Sequence, residues 1–423
     1  MNETLYAAAF VLPVTAAPIT DGAIHVRDGR IIAVGTRATL CSAAPEVELV
    51  DFGAAILMPP LVNAHTHLEL TDFKKWRNAA ATESTSPQDF AEWILQVIRI
   101  KRERSHDDFC ASLKNGLRES LASGVGVIVD ILSLPELADC YDGTPLLGRI
   151  DLELIGRDPK FVQPLLKRAE KWLAERTQDG LDRGLSPHAP YTVSSEILSE
   201  IVNFAEARRV AFSIHTAESA AEVQLLQQSQ GILAEKLYPT VSWLPPDPPL
   251  QITPVDYLHR SGAMRSSTLL IHAVHLTPDE IGRIGRTGST VVLCPRSNEQ
   301  LGTGVAPVEQ FLCRGVRLAL GTDSLASNDS LSIWAEMEAA QRIYAGLLSP
   351  VQIVAMATIN GAAAIGLADE IGALQPDSGA HFLVLQPETL PAAGDLAAFL
   401  CQSDRQQEIR HHFLHGIDLL FEA

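Results

Sequence analysis

The sequence predicts an α/β protein: a (β/α)8 TIM-type barrel with a small β-sandwich domain formed from both chain termini. Three observations predict it. Short aliphatic runs alternate with amphipathic segments through the middle of the chain. Both ends instead carry short strand-like runs joined by Pro and Gly turns. Apolar residues make up 46% of the 423 residues, which is enough for a large core.

Eight aliphatic runs that end in polar residues supply the predicted barrel strands. They cover residues 54–67, 124–132, 146–156, 184–190, 210–218, 267–276, 289–298 and 316–324. Amphipathic segments between them predict helices, clearest at residues 87–104, 107–124 and 194–209. This alternation predicts a barrel domain over residues 56–369.

The two ends of the chain predict a second domain, composed of residues 1–55 and 370–423. Strand-like runs occupy residues 5–15, 22–35 and 47–57 at the start, and 372–387 and 413–423 at the end. Asp28-Gly29 lies between two apolar runs and predicts a tight hairpin turn.

Composition and charge exclude several classes of protein. The formal net charge of −18 opposes nucleic-acid binding, which needs a basic surface. No apolar stretch approaches the roughly 18 residues needed to cross a bilayer, and the start lacks the basic segment of a signal peptide. The six cysteines are scattered without CxxC pairs, so we expect reduced thiols and a cytoplasmic protein.

Ligand-type side chains stand at the ends of the predicted strands, where barrels of this kind place their active sites. His65 and His67 end the first strand, His215 the fifth and Asp323 the eighth. Residues two apart in an extended segment point to the same side, so His65 and His67 can reach one metal ion. Alone, each residue is equally well explained as a satisfied polar group, but their matching positions predict a metal site with three imidazoles and one carboxylate.

The motifs together resemble the amidohydrolase superfamily, in its branch of adenosine-type deaminases and chlorohydrolases. They are "HTH" at 65–67, "HTAE" at 215–218, "IHAVHL" at 271–276 and "GTDSLAS" at 321–327. The resemblance covers nearly the whole chain and implies a metal-dependent aminohydrolase. It identifies His65, His67, His215 and Asp323 as ligands of one divalent ion, zinc first, with iron or manganese as alternatives.

The same resemblance implies the catalytic residues. Glu218, three residues after His215, corresponds to the glutamate that shuttles protons, and His272 corresponds to the catalytic histidine after the sixth strand; Asp323 serves as ligand and catalytic residue. The fourth strand ends in "SPHAP" rather than in a lysine, so a single metal ion is expected. Glu218 has the alternative of a helix N-terminal carboxylate.

Substrate contacts are expected from Glu69, His188, Arg296 and Asn298. The HxHLE and "CPRSN" segments resemble those of aminodeoxyfutalosine deaminases, which implies conversion of 6-amino-6-deoxyfutalosine to futalosine and ammonia. Alternatives are deamination of adenosylhomocysteine, methylthioadenosine or adenosine, or another hydrolysis such as that of a chlorotriazine or a cyclic amide. The other interpretation of Glu69 is an ion pair with Lys74 or Lys75.

Other candidates remain open at this point. Arg296, Arg149 and Arg157 are candidate partners for a substrate carboxylate, and His275 either supports the site or packs at the strand end. We expect Cys294 to be a buried residue rather than a nucleophile. His411 and His412 are expected on a solvated surface. The partner is expected to be a small nucleoside-like molecule, with neither nucleic acid nor membrane, and the resemblance is compatible with a homodimer.

Overall fold

The computed structural model describes residues 3–80, 87–175 and 180–420. Strands from both termini form one connected sheet within this part of the chain. They are β1 Glu3–Val11, β2 Ile19–Arg27, β3 Arg30–Thr36, β4 Glu48–Asp51, β5 Ile56–Met58, β14 Phe382–Leu385, β15 Ile409–Leu414 and β16 Ile417–Asp418. Their order is β16-β15-β14-β5-β1-β2-β3, with β4 also paired to β1, so the sheet branches at β1.

The turn between β2 and β3 confirms the predicted hairpin. Asp28 and Gly29 both have positive φ, at 49° and 76°, as a two-residue turn of this kind requires. Arg27 and Arg30 face each other at the ends of the two strands.

The middle of the chain forms the predicted parallel barrel, which confirms the fold class. Its strands are β6 Leu61–Thr66, β7 Val125–Leu132, β8 Leu147–Leu154, β9 Leu181–Pro187, β10 Phe212–Thr216, β11 Thr268–His272, β12 Thr290–Leu293 and β13 Leu318–Leu320. Neighbours in chain order pair in parallel, and a bridge between Thr66 and Asp323 joins the last strand to the first. Gly321 permits this closure, because a Cβ there would lie 2.8 Å from the side chain of His65.

Helices surround the barrel and connect its strands. In the described residues they are α1 Arg37–Ala43, α2 Phe73–Ala79, α3 Phe90–Arg102, α4 His106–Ala122, α5 Val162–Ala174, α6 Ser195–Arg208, α7 Ala220–Gln228, α8 Tyr238–Thr240, α9 Pro254–Arg260, α10 Pro278–Thr287, α11 Pro295–Leu301, α12 Val308–Cys313, α13 Ile333–Ile343, α14 Pro350–Met356, α15 Ile359–Ala364 and α16 Leu396–Leu400. Short 3₁₀ segments cover Leu68–Leu70, Pro135–Tyr141, Pro159–Phe161, Ala393–Asp395 and Gln406–Glu408, and a π turn covers Leu233–Leu237.

The three clearest predicted helices are confirmed within a few residues, and side-chain caps explain where they begin. Asp89 accepts the Glu92 amide before α3, and Ser105 and Asp108 form a reciprocal capping box before α4. Ser194 accepts the Ile197 amide before α6. Such a cap satisfies a backbone N–H that has no partner inside the helix.

The first predicted strand, residues 54–67, is wrong as a single element. It comprises β5, which pairs with β1 and β14 of the terminal sheet, and β6, which begins the barrel. Pro59 and Pro60 separate the two strands, because proline lacks the N–H that a sheet ladder needs and has a fixed φ.

The expectation of six reduced cysteines is wrong for one pair. Cys110 in α4 and Cys140 in the Pro135–Tyr141 turn form a disulfide, with their Cα atoms 5.9 Å apart. The two residues are separated by 30 positions and become neighbours only because this turn packs on α4. Sequence spacing therefore carried no sign of the bond. Cys294 is buried, as expected, and burial raises the pKa of its thiol well above the usual range.

The expectation of a solvated His411–His412 pair is also wrong. His412 is buried in β15, where its Nδ1 lies 3.1 Å from the Leu121 carbonyl oxygen, and burial lowers its pKa to about 4. His411 is partly buried, with its Nδ1 2.6 Å from Asp418. Alternation along β15 turns His412 towards the barrel helices, which a charged composition does not reveal. No helix built from the described residues combines the length and the apolar character needed to cross a bilayer.

Candidate active site

Four side chains from three strands converge at the mouth of the barrel. Nitrogen atoms of His65, His67 and His215 all lie within 4.8 Å of one another. Oδ1 of Asp323 lies 3.4 Å from Nε2 of His65 and 3.7 Å from Nε2 of His67. The structure thus brings together the residues that the strand ends singled out.

The donor set has the chemistry of a metal site. In the described part of the chain neither ring nitrogen of buried His65 has a hydrogen-bond partner, an arrangement that costs free energy unless another group binds there. Nδ1 of His215 lies 2.8 Å from the His188 carbonyl oxygen, which can only accept, so Nε2 keeps its lone pair for a ligand bond.

Electrostatics keep the imidazoles in the form that binds metal. Burial lowers the pKa of His67 well below its usual value, and the charge of His65 lowers it further. Burial and the neighbouring histidines have the same effect on the pKa of His215. Neutral imidazoles bind metal ions, whereas protonated ones repel them. The residues therefore fit a divalent ion with one carboxylate and three imidazole ligands.

Three serines hold the carboxylate of Asp323. Ser297 and Ser327 each donate a hydroxyl hydrogen bond of 2.7 Å to Oδ2, and the Ser324 amide donates one of 2.7 Å to Oδ1. Burial alone would raise the pKa of Asp323, but its contact with His65 and the charges of the neighbouring histidines lower it well below its usual value. Asp323 is thus an oriented, ionised carboxylate that is suited to bind a cation.

Backbone strain is concentrated at this end of the barrel. His272 and Asp323 have φ of 69° and 57°, a region that residues other than glycine rarely adopt. Ala217 and Ala273, next to the same strand ends, have φ of 50°. Such strain costs on the order of 1–3 kcal/mol per residue and is typical of functional sites.

Glu218 and His272 form a second pair beside the donor set. Oε1 of Glu218 lies 3.6 Å from Nε2 of His272. Burial, with the charges of Asp323 and Glu222, raises the pKa of Glu218 well above its usual value. Burial lowers the pKa of His272 to about 4. A protonated carboxyl beside a neutral imidazole is an arrangement suited to proton transfer.

Asn298 positions His272 rather than reaching the cavity beside the donor set. Its Oδ1 lies 2.9 Å from Nδ1 of His272, which leaves Nε2 of that ring as the acceptor on the active-site side. His275 is turned away in a similar manner: its Nε2 contacts the Thr303 carbonyl oxygen at 2.6 Å. Both side chains brace the loops that follow β11 and β12.

A cavity of about 450 Å³ opens beside the donor set. His67, His215, Asp323 and Glu218 line one end, and His188, expected to contact substrate, lines it as well. Apolar side chains line much of the remainder: Leu70, Trp93, Ile94, Val97, Ile98, Leu237, Val241 and Trp243. A mostly apolar cavity with few polar groups at one end is typical of small-molecule sites.

Glu69 lies behind this wall, outside the lining of the cavity. Its Oε1 accepts hydrogen bonds from Lys101 Nζ at 2.6 Å and Ser133 Oγ at 2.5 Å, and its Oε2 accepts the Ser133 amide at 3.0 Å. The side chain is 1% exposed. The ion-pair interpretation therefore applies with Lys101 as the partner, instead of Lys74 or Lys75.

None of the three candidate arginines lines the cavity. Arg149 forms a buried ion pair of 2.6 Å with Asp151. Arg157 donates to the Tyr191 carbonyl and stacks over the Tyr238 ring. Arg296 contacts Asp329, donates to Ser330 at 2.9 Å and lies 3.8 Å from Glu336. Each guanidinium is thus engaged within the protein.

Sequence reasoning missed several residues that line the cavity. Glu153, next to last in β8, faces it, as do Lys101 and Arg102 at the end of α3. Glu153 offered a signal, because a charged residue near the carboxyl end of a barrel strand points to the mouth. Lys101 and Arg102 offered none, because basic residues are common in the last turn of a helix.

Comparison with known proteins agrees with this geometry. The profile of the amidohydrolase family matches residues 56–409. Aminodeoxyfutalosine deaminase of Deinococcus radiodurans is 32% identical over 323 residues, 74% of each chain. The 5-methylthioadenosine/S-adenosylhomocysteine deaminase of Moorella thermoacetica is 27% identical over 98% of this chain and 94% of its own.

A solved structure shares the whole fold. Helicobacter pylori aminofutalosine deaminase, in complex with methylthio-coformycin, superposes with a TM-score of 0.85 at 21% identity, over 98% of this chain and 100% of that one. At this identity the likeness shows the fold alone. The profile match spans the barrel together with β5 and β14 of the terminal sheet, and it confirms the resemblance in the motifs. The chain belongs to the amidohydrolase family of metal-dependent hydrolases, in its branch of adenosine-type deaminases and chlorohydrolases.

Proposed function

We propose that this enzyme deaminates a 6-aminopurine nucleoside and that its preferred substrate is 6-amino-6-deoxyfutalosine, which it converts to futalosine and ammonia. The observation that carries the proposal is the pair of Glu218 and His272, 3.6 Å apart beside the donor set. Their opposite pKa shifts give a proton donor and a neutral acceptor at one place.

His65, His67, His215 and Asp323 would hold one divalent ion. Three imidazoles and one carboxylate suit zinc, and iron or manganese are the alternatives. When bound, such an ion lowers the pKa of a water molecule and so makes hydroxide available near neutral pH.

The protein's own groups would move the protons. Glu218, protonated because of its raised pKa, donates to the ring nitrogen beside the carbon that carries the amino group, which makes that carbon electrophilic. Nε2 of His272 accepts a hydrogen bond from the attacking water, and the carboxylate of Asp323 takes up its proton. Asp323 then gives that proton to the amino group, Glu218 recovers a proton from the new hydroxyl group, and the C–N bond breaks to release ammonia.

The far part of the cavity supports a substrate with an apolar and anionic extension. Trp93, Val97 and Ile98 of α3 line its wall, and Arg102 follows on the same helix. Arg102 is exposed and has no ion-pair partner in the described ranges. The ring of the benzoate group of aminodeoxyfutalosine would pack on the apolar wall, and its carboxylate would pair with Arg102.

A thioether nucleoside is the second candidate. The relative that matches 98% of this chain is a methylthioadenosine and adenosylhomocysteine deaminase, and the apolar wall of the cavity would also accept a thioether. Other hydrolyses, of a chlorotriazine or a cyclic amide, would use the same donor set. A homodimer and a cytoplasmic location stay predictions, to be tested by light scattering and by cell fractionation.

The test is ammonia release by metal-loaded protein, with mass spectrometry of the products. The panel contains aminodeoxyfutalosine, adenosylhomocysteine, methylthioadenosine, adenosine, guanine and cytosine. We expect aminodeoxyfutalosine to have the highest kcat/KM. Preference for a thioether nucleoside would replace the first candidate with the second, and no release from any member would refute nucleoside deamination.

The variant Glu218→Gln tests the proton-transfer role. It should keep its metal content, measured by atomic emission, and lose about 10²–10⁴-fold in kcat, the usual contribution of a general acid. The matched control is Glu175→Gln. It alters a surface carboxylate that pairs with Arg183 and does not line the cavity. Full activity of Glu218→Gln would refute the assignment.

A further inference from the structure

We infer that Glu153 recognises the sugar hydroxyls of the substrate, together with His188. The inference rests on the proposed function, because it names the group that selects a nucleoside over a free base. Glu153 is the residue before the last in β8, so it stands at the mouth of the barrel and lines the same cavity as Glu218. Its side chain is 13% exposed, so most of its surface is covered by protein.

Glu153 differs from the other carboxylates near it because its oxygens are not used within the described structure. Glu69 is fully engaged by Lys101 and Ser133. Asp151, two residues earlier on β8, accepts from Arg149 and from Ser213 Oγ. Among the described residues no group donates a hydrogen bond to Glu153. Nε2 of the His188 ring lies 4.0 Å from its Oε1, and the ammonium group of Lys101 interacts with it only through charge. The distance of 4.0 Å is too long for a direct hydrogen bond.

The tautomer of His188 leaves two hydrogen-bond acceptors, its own Nε2 and the Glu153 carboxylate, facing the space between them. Thr192 Oγ1 donates its single hydrogen to the Ala189 carbonyl oxygen at 3.1 Å. It can therefore only accept from Nδ1 of His188, 2.8 Å away. Nδ1 carries the proton, and Nε2 presents a lone pair towards Glu153. Two acceptors 4.0 Å apart on one cavity wall suit a ligand with two neighbouring hydroxyls.

The position also suits the rest of the substrate. The ring of His188 lies beside that of His215, with the ring centroids 4.7 Å apart and the planes tilted by 35°, so His188 is one ring further from the donor set. In a 6-aminopurine nucleoside the sugar is likewise one ring system away from the carbon that is attacked. A vicinal diol would donate one hydrogen to Glu153 and the other to His188. Glu153 is thus the carboxylate that the geometry selects over Glu69.

The test compares adenosine with 2′,3′-dideoxyadenosine as substrates of wild type, Glu153→Gln and Glu153→Asp. A hydroxyl bound to a charged group is worth about 10- to 150-fold in kcat/KM. Wild type should prefer adenosine by at least that factor, and Glu153→Gln should lose most of this preference through the rate on adenosine. Glu153→Asp, which keeps the carboxylate, should retain part of it.

Glu69→Gln is the matched control, since it changes a buried glutamate whose oxygens are already occupied. It should leave the ratio of the two kcat/KM values unchanged. If wild type deaminates both nucleosides and Glu153→Gln keeps the wild-type ratio, this inference is overturned while the proposed function stands. If wild type deaminates aminodeoxyfutalosine and Glu153→Gln does so with the wild-type kcat/KM, this inference is likewise overturned and the proposed function stands. If wild type releases ammonia from no nucleoside of the panel, both are overturned.

Discussion

Replacing Ser327 with alanine should weaken metal binding without removing a ligand. The Ser327 hydroxyl donates a 2.7 Å hydrogen bond to Oδ2 of Asp323, whose other oxygen faces His65 and His67. A hydrogen bond to a charged group is worth about 1.5–3 kcal/mol. Loss of a group that orients a ligand lowers metal affinity by about 10–100-fold, which corresponds to about 1.4–2.7 kcal/mol. The two estimates agree, so we expect a loss of that size.

Ser297 extends the prediction to a double-mutant cycle. Its hydroxyl also lies 2.7 Å from Oδ2 of Asp323 and 2.9 Å from the Ser327 hydroxyl. Because the two hydroxyls share one acceptor and touch each other, their effects should not add; a coupling of about 0.5–3 kcal/mol is typical of such neighbours.

The assay is zinc affinity by competition with a chromophoric chelator, measured from pH 5 to pH 8. The matched control is Ser123→Ala, because Ser123 is equally buried but donates to the Ser120 carbonyl at the other end of β7. It should bind zinc as wild type does. If Ser327→Ala and Ser297→Ala also bind zinc as wild type does, the hydroxyls do not orient Asp323 and the reasoning is refuted.

Two further predictions concern stability. Cys110→Ser with Cys140→Ser opens a loop of 30 residues, which should lower the free energy of unfolding by about 3–4 kcal/mol. Chemical denaturation with and without a reducing agent measures this, and equal curves for wild type in both conditions would contradict it. His412 has its pKa lowered to about 4 by burial, whereas the unfolded chain titrates near 6.5. Neutral His412 makes its full contribution to the free energy of unfolding above pH 6.5. As the pH falls to about 4, the free energy of unfolding decreases by about 3 kcal/mol. His412→Gln should therefore flatten the stability curve over that window, and an unchanged slope would refute it.

The barrel could be predicted because each of its strands and helices is recognisable from a short stretch of sequence. Aliphatic runs such as 124–132 and 316–324 end in polar residues, and amphipathic segments follow them. The number of strands, and the strand ends that carry His215 and Asp323, can therefore be predicted without knowledge of the tertiary structure. The β5–β6 region was misassigned for the opposite reason. Both halves are aliphatic, and only their pairing partners, in different sheets, distinguish them.

The donor set could be predicted because all of its members stand at strand ends, where position along the strand fixes the direction of the side chain. The supporting groups could not. Ser297 and Ser327 reach Asp323 from the helix after β12 and the loop after β13. Serine is so common in loops that neither residue stands out before the loops are folded.

The choice between Glu69 and Glu153 shows where sequence reasoning ends. Both are glutamates near the end of a barrel strand, and the motif around Glu69 favoured it as the substrate contact. Whether a glutamate can bind a ligand depends on whether another side chain already donates hydrogen bonds to its carboxylate. Lys101, 32 residues later, enters from α3 and occupies Glu69, and no donor in the described chain does so for Glu153. A motif specifies residue types at fixed spacing, whereas a free hydrogen-bonding group depends on every element packed around it. The carboxylate available to a ligand is therefore a property of the fold, and substrate contacts are the last part of a site that a sequence reveals.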